Sequence, residues 1–408
     1  MKLSKKIFPI FNNKKDLVYL DSASSAQKPQ VVIDSIKNFY ENDYSNSSRG
    51  ACPLSENVTS IVEGVRGKVK NFINAEDADE ILFTGGATES INILAGALAD
   101  YFNDGDEVII TDTEHHSNIL PWHLLAEKKD IKLNVLEMND DGSFDFEKLN
   151  SLINENTRMI SFSPMSNVLG TIINIENVVS LIRNKESELN SNILINLDLC
   201  QYIVHRPVDL KKWNVDFACF SSHKIYGPTG VGVLYCHKSK HNILKPYKLG
   251  GGTVSRVNII DGVVKLNKFP TCFEAGTLPI AQIVGLGSAL DFVSEIGYEE
   301  IIKHDEKLTK YALEKMKEID FVNLLGTDSE KTRSSIISFN IDGINAFDFA
   351  VLMGQSGVCL RVGTSCADPL HYKLNITHSF RISFGIYNEE KDIDIFVEKM
   401  HKVVNMLK

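Results

Sequence analysis

The stretch VDFACFSSHKIYGPTGVGVLYC, residues 215–236, decides how the rest of the chain is read. Its first half is an apolar run of strand length that ends in Ser221, Ser222, His223 and Lys224, and a second apolar run, GVGVLYC, follows a Gly-Pro-Thr-Gly turn. A surface lysine normally sits among polar residues, whereas Lys224 stands at the exit of what reads as a buried strand. Working outward, EILFTG, EVIIT, KLNVLEM, RMISFSP and ILINLD read as further strands, with SINILAGALADYF, NILPWHLLAEKK and IENVVSLIRNKESEL as helices between them. Strands apolar on both faces that alternate with helices predict an α/β fold with a mainly parallel, helix-covered sheet. Ligands of such sheets bind outside the carboxyl ends of the strands.

Beyond about residue 285 the pattern changes. A long helical stretch runs from AQIVGLGSALDFVSEIG into YEEIIKHDEKLTKYALEKMKEI, and RSSIISFNI follows as an edge strand. The helix AFDFAVLMGQSG, the loop RVGTSCADPL, the strand FRISFG and a final amphipathic helix complete a smaller α+β unit. The expected division is an N-terminal arm over residues 1–20 that packs with the small domain, a large domain over 21–285 and a small domain over 286–408.

Bulk properties narrow the function. A formal net charge of −10 over 408 residues argues against a nucleic acid or an anionic membrane as the main partner. The basic N-terminus MKLSKKIFPIF is too short and too polar in its apolar part for a signal peptide, so a cytoplasmic protein is expected. Seven scattered cysteines without CxxC or zinc spacing predict reduced thiols and no metal.

The strand ends carry the chemistry. TGGATES after EILF offers two glycines and the helix start at Ala87 and Thr88, which suits a phosphate or, equally, an ordinary capped helix. EVIIT leads to His115 and His116; RMISF leads to Asn167, in a setting that also suits an Asx turn. Asp198 closes ILINL and precedes Gln201; it is either a buried carboxylate that needs a partner or an exposed helix cap. Together with Ser221, His223 and Lys224, these residues supply a phosphate cradle, an imidazole, an amide, a carboxylate and a lysine. That set matches pyridoxal 5′-phosphate, which needs a Schiff-base lysine, an acid for the pyridinium nitrogen and a phosphate cup. A nucleotide reading of GPTGVG fails because the GxxxxGK[ST] pattern is missing.

In YLDSASSAQKP, GATES, TEHHSNILPW, SNVLGT, DLCQ, SSHKIYGPTG, FEAGT and RVGTSCADPL, in that order, the chain resembles the class V, fold type I enzymes that use pyridoxal phosphate, and within them the SUF-type cysteine desulfurases. The resemblance implies roles. Lys224 is the Schiff-base lysine, Asp198 the pyridinium partner, and His115 the residue stacked on the ring. Asn167 and Gln201 reach the ring oxygen, while Ala87, Thr88, Ser221 and His223 hold the phosphate, joined by Thr277 from the second subunit of a homodimer. Arg381, with Arg361 and Asn167 near it, takes the substrate carboxylate. Cys366 is the nucleophile that takes sulfur from L-cysteine as a persulfide and passes it to an acceptor protein for iron–sulfur cluster assembly. Related class V activities, selenocysteine lyase and cysteine sulfinate desulfinase among them, share this residue set, and a non-catalytic scaffold is the reading from another class. The chain departs from the SUF-type pattern at Ser48, Cys52, Gly85, Leu199, Cys200, Thr364 and Ser365.

Overall fold

The computed structural model describes residues 4–47, 50, 52–139 and 142–408; Ser48 and Arg49 lie outside them. Seven strands among the described residues form the larger sheet: β1 (Ile81–Thr84), β2 (Glu107–Thr111), β3 (Lys132–Leu136), β4 (Thr157–Phe162), β5 (Leu194–Asp198), β6 (Phe217–Ser221) and β7 (Gly232–Cys236). Their order is β1-β7-β6-β5-β4-β2-β3, and β7 runs antiparallel to both of its neighbours while the remaining pairs are parallel.

The period of two in a strand explains why both faces are covered. Along β6, Ala218 and Phe220 join one core with Ile195, Leu197, Phe162 and Val233. Phe217 and Cys219 join a second core on the opposite face with Leu194, Met159, Leu234 and Ile110. All five residues of β6 are buried, and its first polar side chain, Ser221, stands where the strand stops.

One close approach shapes the site. A Cβ placed on Gly232 of β7 would stand 2.5 Å from Cα of Gly86 and 2.8 Å from the Phe220 carbonyl oxygen, so β7 tolerates only glycine beside the turn that leaves β1. Gly86 itself has φ +154° and ψ 173°, a region that is comfortable for glycine alone. The helix Ala87–Ala97 starts directly after it.

The second sheet consists of β8 (Asn323–Leu324), β9 (Ile336–Asn340), β10 (Arg361–Gly363) and β11 (Ser379–Ser383), in the order β8-β9-β11-β10. RSSIISFNI is therefore an inner strand, not the edge strand its sequence suggested. Its outer neighbour β8 pairs over two residues only, too few to leave a periodic signal. RVGTSCADPL is likewise less of a loop than expected: Arg361–Gly363 pair with β11, and a helix starts at Asp368. Ile337, Phe339, Phe380 and Ile382 of this sheet share a core with Phe349 and Phe396 from the flanking helices.

The N-terminal chain reaches the first core of the larger sheet and the core of the smaller one. Phe8 packs against Tyr226, Phe292 and Tyr387 with ring centroids 4.9–6.0 Å apart. Val18 and Tyr19 pair in parallel with Val358 and Cys359, and Asp21 bridges Ser383 of β11. No single helix among the described residues is long and apolar enough to cross a membrane.

Candidate active site

The carboxyl ends of β1, β2, β4, β5 and β6 converge on a cavity of ≈ 300 Å³. β1 contributes Ala87 and Thr88, the segment after β2 contributes His115, and the segment after β4 contributes Asn167. β5 ends in Asp198 and is followed by Gln201, and β6 leads to Ser221, His223 and Lys224. Arg361, Cys366 and Arg381 close the cavity from the smaller sheet. Of the site residues read from the sequence, Thr277 alone stands elsewhere: it lines a separate cavity of ≈ 720 Å³ with Arg66, Glu274 and Gly276.

Lys224 sits in a tight turn. The Ser222 carbonyl accepts hydrogen bonds from the N–H groups of Ile225 (3.1 Å) and Gly227 (3.0 Å). Tyr226 adopts φ +64°, a costly left-handed conformation, and is held there by burial and by its hydroxyl, which accepts from the Ile386 N–H at 3.2 Å. The turn thus stays fixed independently of the lysine side chain. Asp198 is buried at 4 % exposure, which decides between its two sequence readings in favour of the buried carboxylate. The Cys200 N–H donates to its Oδ1 at 3.0 Å.

The phosphate-type cradle is built from backbone and hydroxyls. Ser221 Oγ accepts the Ala87 N–H at 2.8 Å, and Thr88 Oγ1 lies 2.7 Å from Ser117 Oγ, all at the N-terminal end of an eleven-residue helix whose dipole favours an anion. Ser117 also donates its N–H to His115 Nδ1 at 3.1 Å. A ring nitrogen that accepts this bond places the proton of neutral His115 on Nε2. Below it, Glu114 is fully buried and accepts from Thr111, Asn118 and the Ser163 N–H; burial pushes its carboxyl up to about 7.

Burial first, and the Lys224 ammonium second, push His115 and His223 down to about 4. An unperturbed imidazole titrates near 6.5, so between these values the unfolded chain binds more protons than the folded one. The contribution of these two imidazoles to stability therefore rises with pH across the window from about 4 to 6.5 and is lost as pH falls through it, while Glu114, raised from 4.5 to about 7, works in the opposite direction and offsets only part of the pair. The thermal midpoint of the cofactor-free protein should be lower at pH 5 than at pH 7, and His223→Gln should shrink the difference, as circular-dichroism melts at the two pH values would read.

The amides and arginines form a second layer. Gln201 Nε2 donates to the Ala23 carbonyl at 2.9 Å, and Asn167 Nδ2 to the Ser365 carbonyl at 2.8 Å. Arg381 is 3 % exposed; its Nη1 donates to the Asn167 carbonyl at 2.7 Å and its Nη2 to Ser24 Oγ at 2.7 Å. Arg361 donates to Ser24 Oγ and to Asp21 Oδ2, both at 3.0 Å. Asp21 and Ser24 received no role from the sequence. The available signal was that Asp21 closes the apolar run VYL just as Asp198 closes ILINL.

Four of the cysteines are buried, Cys359 is half-buried, and Cys52 and Cys366 are exposed. Cys366 follows Ser365 in the left-handed region, with φ +57° and +50°. The short loop is pinned on both sides: the His116 N–H donates to the Cys366 carbonyl at 2.8 Å, the Ala367 N–H to the Thr364 carbonyl at 2.9 Å, and His116 Nε2 meets Asp368 Oδ2 at 2.6 Å. His371 Nδ1 reaches the Ala367 carbonyl at 3.0 Å, and Ala367 is buried against Val168 and Leu169.

The family model described as aminotransferase class-V matches residues 18–396. The chain belongs to the class-V aminotransferase family. Among class-V relatives, a cysteine desulfurase of Wigglesworthia glossinidia brevipalpis is 37% identical over 405 residues, 98% of this chain and 97% of that one. A probable cysteine desulfurase of Streptomyces coelicolor is 37% identical over 98% of this chain and 96% of its own. Among solved structures, the apo cysteine desulfurase of Thermococcus onnurineus NA1 superposes with a TM-score of 0.92 at 32% identity, covering 99% of this chain and 98% of that one. The S-sulfonic acid form of an Escherichia coli cysteine desulfurase gives a TM-score of 0.89 at 30% identity, with the same coverage. Pyridoxal 5′-phosphate is the cofactor that the class-V cavity fits: an amine, a buried carboxylate, a neutral imidazole and a helix N-terminus with hydroxyls face one space.

Proposed function

We propose that the chain is a pyridoxal 5′-phosphate-dependent cysteine desulfurase, which converts L-cysteine to L-alanine and leaves the sulfur as a persulfide on Cys366. The observation that carries this reading is the exposed thiol of Cys366 on the wall of the cavity that also holds Lys224, Asp198 and Arg381. A transaminase site needs no thiol there.

Bound pyridoxal phosphate supplies an electron sink for the charge that develops at the substrate Cα. Lys224 attaches the cofactor and moves the proton at Cα. Asp198 serves the pyridinium nitrogen, neutral His115 lies against the ring, and Asn167 and Gln201 serve its oxygen. Ala87, Thr88, Ser221 and His223 take the phosphate. Arg381, whose buried Nε has no hydrogen-bond partner among the described residues, binds the substrate carboxylate, with Arg361 beside it. The Cys366 thiolate attacks the substrate Sγ: an S–S bond forms, the Cβ–Sγ bond breaks, and a proton ends on Cβ. Atoms balance as cysteine plus thiol giving alanine plus persulfide.

The same reading makes the chain one half of a cytoplasmic homodimer in which Thr277 completes the phosphate cup of the other subunit. It divides the chain near residue 285, with the N-terminal arm serving the small domain. The persulfide then passes to an acceptor protein for iron–sulfur cluster assembly. Alanine and sulfide formed in equal amounts from L-cysteine and a thiol reductant are the expected products. Pyruvate with ammonia, or no product from protein that carries the cofactor, would reject the reading.

A further inference from the structure

The loop that carries Cys366 is short and conformationally costly. It leaves β10 at Gly363 and ends at Ala367, just before the helix Asp368–Lys373. Along it Gly363 has φ +115°, Ser365 +50° and Cys366 +57°. Ser365 and Cys366 carry side chains, and such a backbone persists only where its surroundings over-determine it. From the larger domain, the His116 N–H and the Asn167 amide grip the crest of the loop through the carbonyls of Cys366 and Ser365. Neither of these bonds holds the base.

The base is tied by His371. Its side chain is buried, at 2 % exposure, where an imidazole without partners would be costly. Both nitrogens are engaged. A carbonyl oxygen only accepts, so Nδ1 donates to the Ala367 carbonyl at 3.0 Å, and Nε2 of the neutral ring then accepts from Ser379 Oγ at 2.9 Å. Ser379 of β11 pairs directly with Gly363, where the loop begins, and its Oγ lies 3.4 Å from the Gly363 carbonyl. One imidazole thus links the residue that ends the loop to the residue that faces its start. A leucine would fill similar space and supply neither bond. With the link open, Ser365 and Cys366 are free to relax towards the commoner right-handed or extended regions, and the Cys366 side chain turns with them.

We infer that His371 is a positioning residue for sulfur transfer: by clamping the base of the Gly363–Ala367 loop it aims the Cys366 thiol at the substrate Sγ. It is not among the described residues that line the cavity, so it acts through Cys366 and not on substrate or cofactor. The inference rests on the desulfurase reading above and extends it to what sets the nucleophile.

The test uses holoenzymes of the wild type, His371→Leu, Ser379→Ala and the double variant. Mass spectrometry of samples quenched during the first turnover, over a range of L-cysteine concentrations, gives the maximal rate of persulfide formation on Cys366 and the half-saturating concentration. His371→Leu keeps the packing and removes both bonds. It should lower the maximal rate about 10²-fold, the penalty for ~1 Å of misplacement, with half-saturation, L-alanine affinity and cofactor absorbance unchanged. Ser379→Ala, which deletes one hydroxyl and serves should the leucine variant fail to fold, should lower the same rate about tenfold, the scale of one lost hydrogen bond. The double variant should match His371→Leu alone, because the two residues form a single link. Amide exchange over residues 364–367 should quicken in each variant. An unchanged rate in both single variants, losses that multiply in the double variant, or a loss that tracks weaker L-alanine binding would overturn the inference. A wild type that forms no persulfide from L-cysteine would instead reject the desulfurase reading. Amide exchange would still decide whether His371 holds the loop, and unaltered exchange in His371→Leu would show that it does not.

Discussion

Replacing Lys224 with alanine is expected to lower alanine formation from L-cysteine by roughly 10²–10⁴-fold, the scale on which a positioned proton carrier contributes. The loss is chemical rather than structural. Backbone hydrogen bonds to Ser222 and the buried left-handed Tyr226 hold the turn, so the lysine side chain is not needed to shape it. The thermal midpoint of the cofactor-free variant should therefore match that of the wild type. Borohydride, which fixes pyridoxal phosphate to the lysine that carries it, should label the peptide containing residue 224 in the wild type and leave the variant unlabelled. A second signature is independent of the cofactor. The Lys224 ammonium is one of the two main causes that push His115 and His223 down to about 4, so their imidazole titrations, followed by NMR, should move up in the variant. Turnover at the wild-type rate, or borohydride label on another lysine, would remove Lys224 from its assigned role.

The contrast between what the sequence disclosed and what it hid follows from the range of the interactions involved. Strands β1, β2 and β4 to β7 were legible because each is a short, mainly apolar run whose alternate residues feed two cores, a pattern written locally, while the edge strand β3 is half exposed and shows only Leu133, Val135 and Leu136. The residues that follow them were legible for the same reason: Asp198 closes an apolar run, His115, Asn167 and Lys224 stand in the short polar segments just beyond one, and none of them needs knowledge of pairing. The inner position of RSSIISFNI was hidden, because it depends on a two-residue strand, Asn323–Leu324, that no periodicity marks. Asp21 and Ser24 were hidden as well. Their role exists only because Arg361 and Arg381 meet across a strand pair and because the N-terminal chain is laid along β11, some 360 residues away in sequence. Asp198 shows the intermediate case. The sequence left its burial open, and the fold resolved it by covering the end of β5.

Cys366→Ser should reduce sulfide and alanine formation by ~10²-fold or more, as expected when a nucleophile is removed, while the protein keeps its bound cofactor. Two thiols among the described residues line the cavity, Cys200 and Cys366. Burial, and then the Asp198 carboxylate, push the Cys200 thiol up to about 12, so it carries almost no thiolate at neutral pH. Cys366 is exposed and lies in a loop with its backbone pinned by His116, Asn167 and the Ala367 turn. Serine keeps that backbone and nearly the same shape, and what it withdraws is an ionisable, sulfur-seeking atom. The cofactor set on the larger sheet is untouched, so visible absorbance should persist and substrate should still bind. Cys52→Ser, at the other exposed thiol, should leave turnover unchanged, since Cys52 precedes the helix Pro53–Phe72 and does not line the cavity. Mass spectrometry of the wild type after L-cysteine without reductant should find the peptide bearing Cys366 heavier by one sulfur atom, and the Cys366→Ser peptide unmodified. If Cys366→Ser retained the wild-type rate, the sulfur would leave the substrate without a protein thiol, and the enzyme would be a lyase that releases it directly into the cavity.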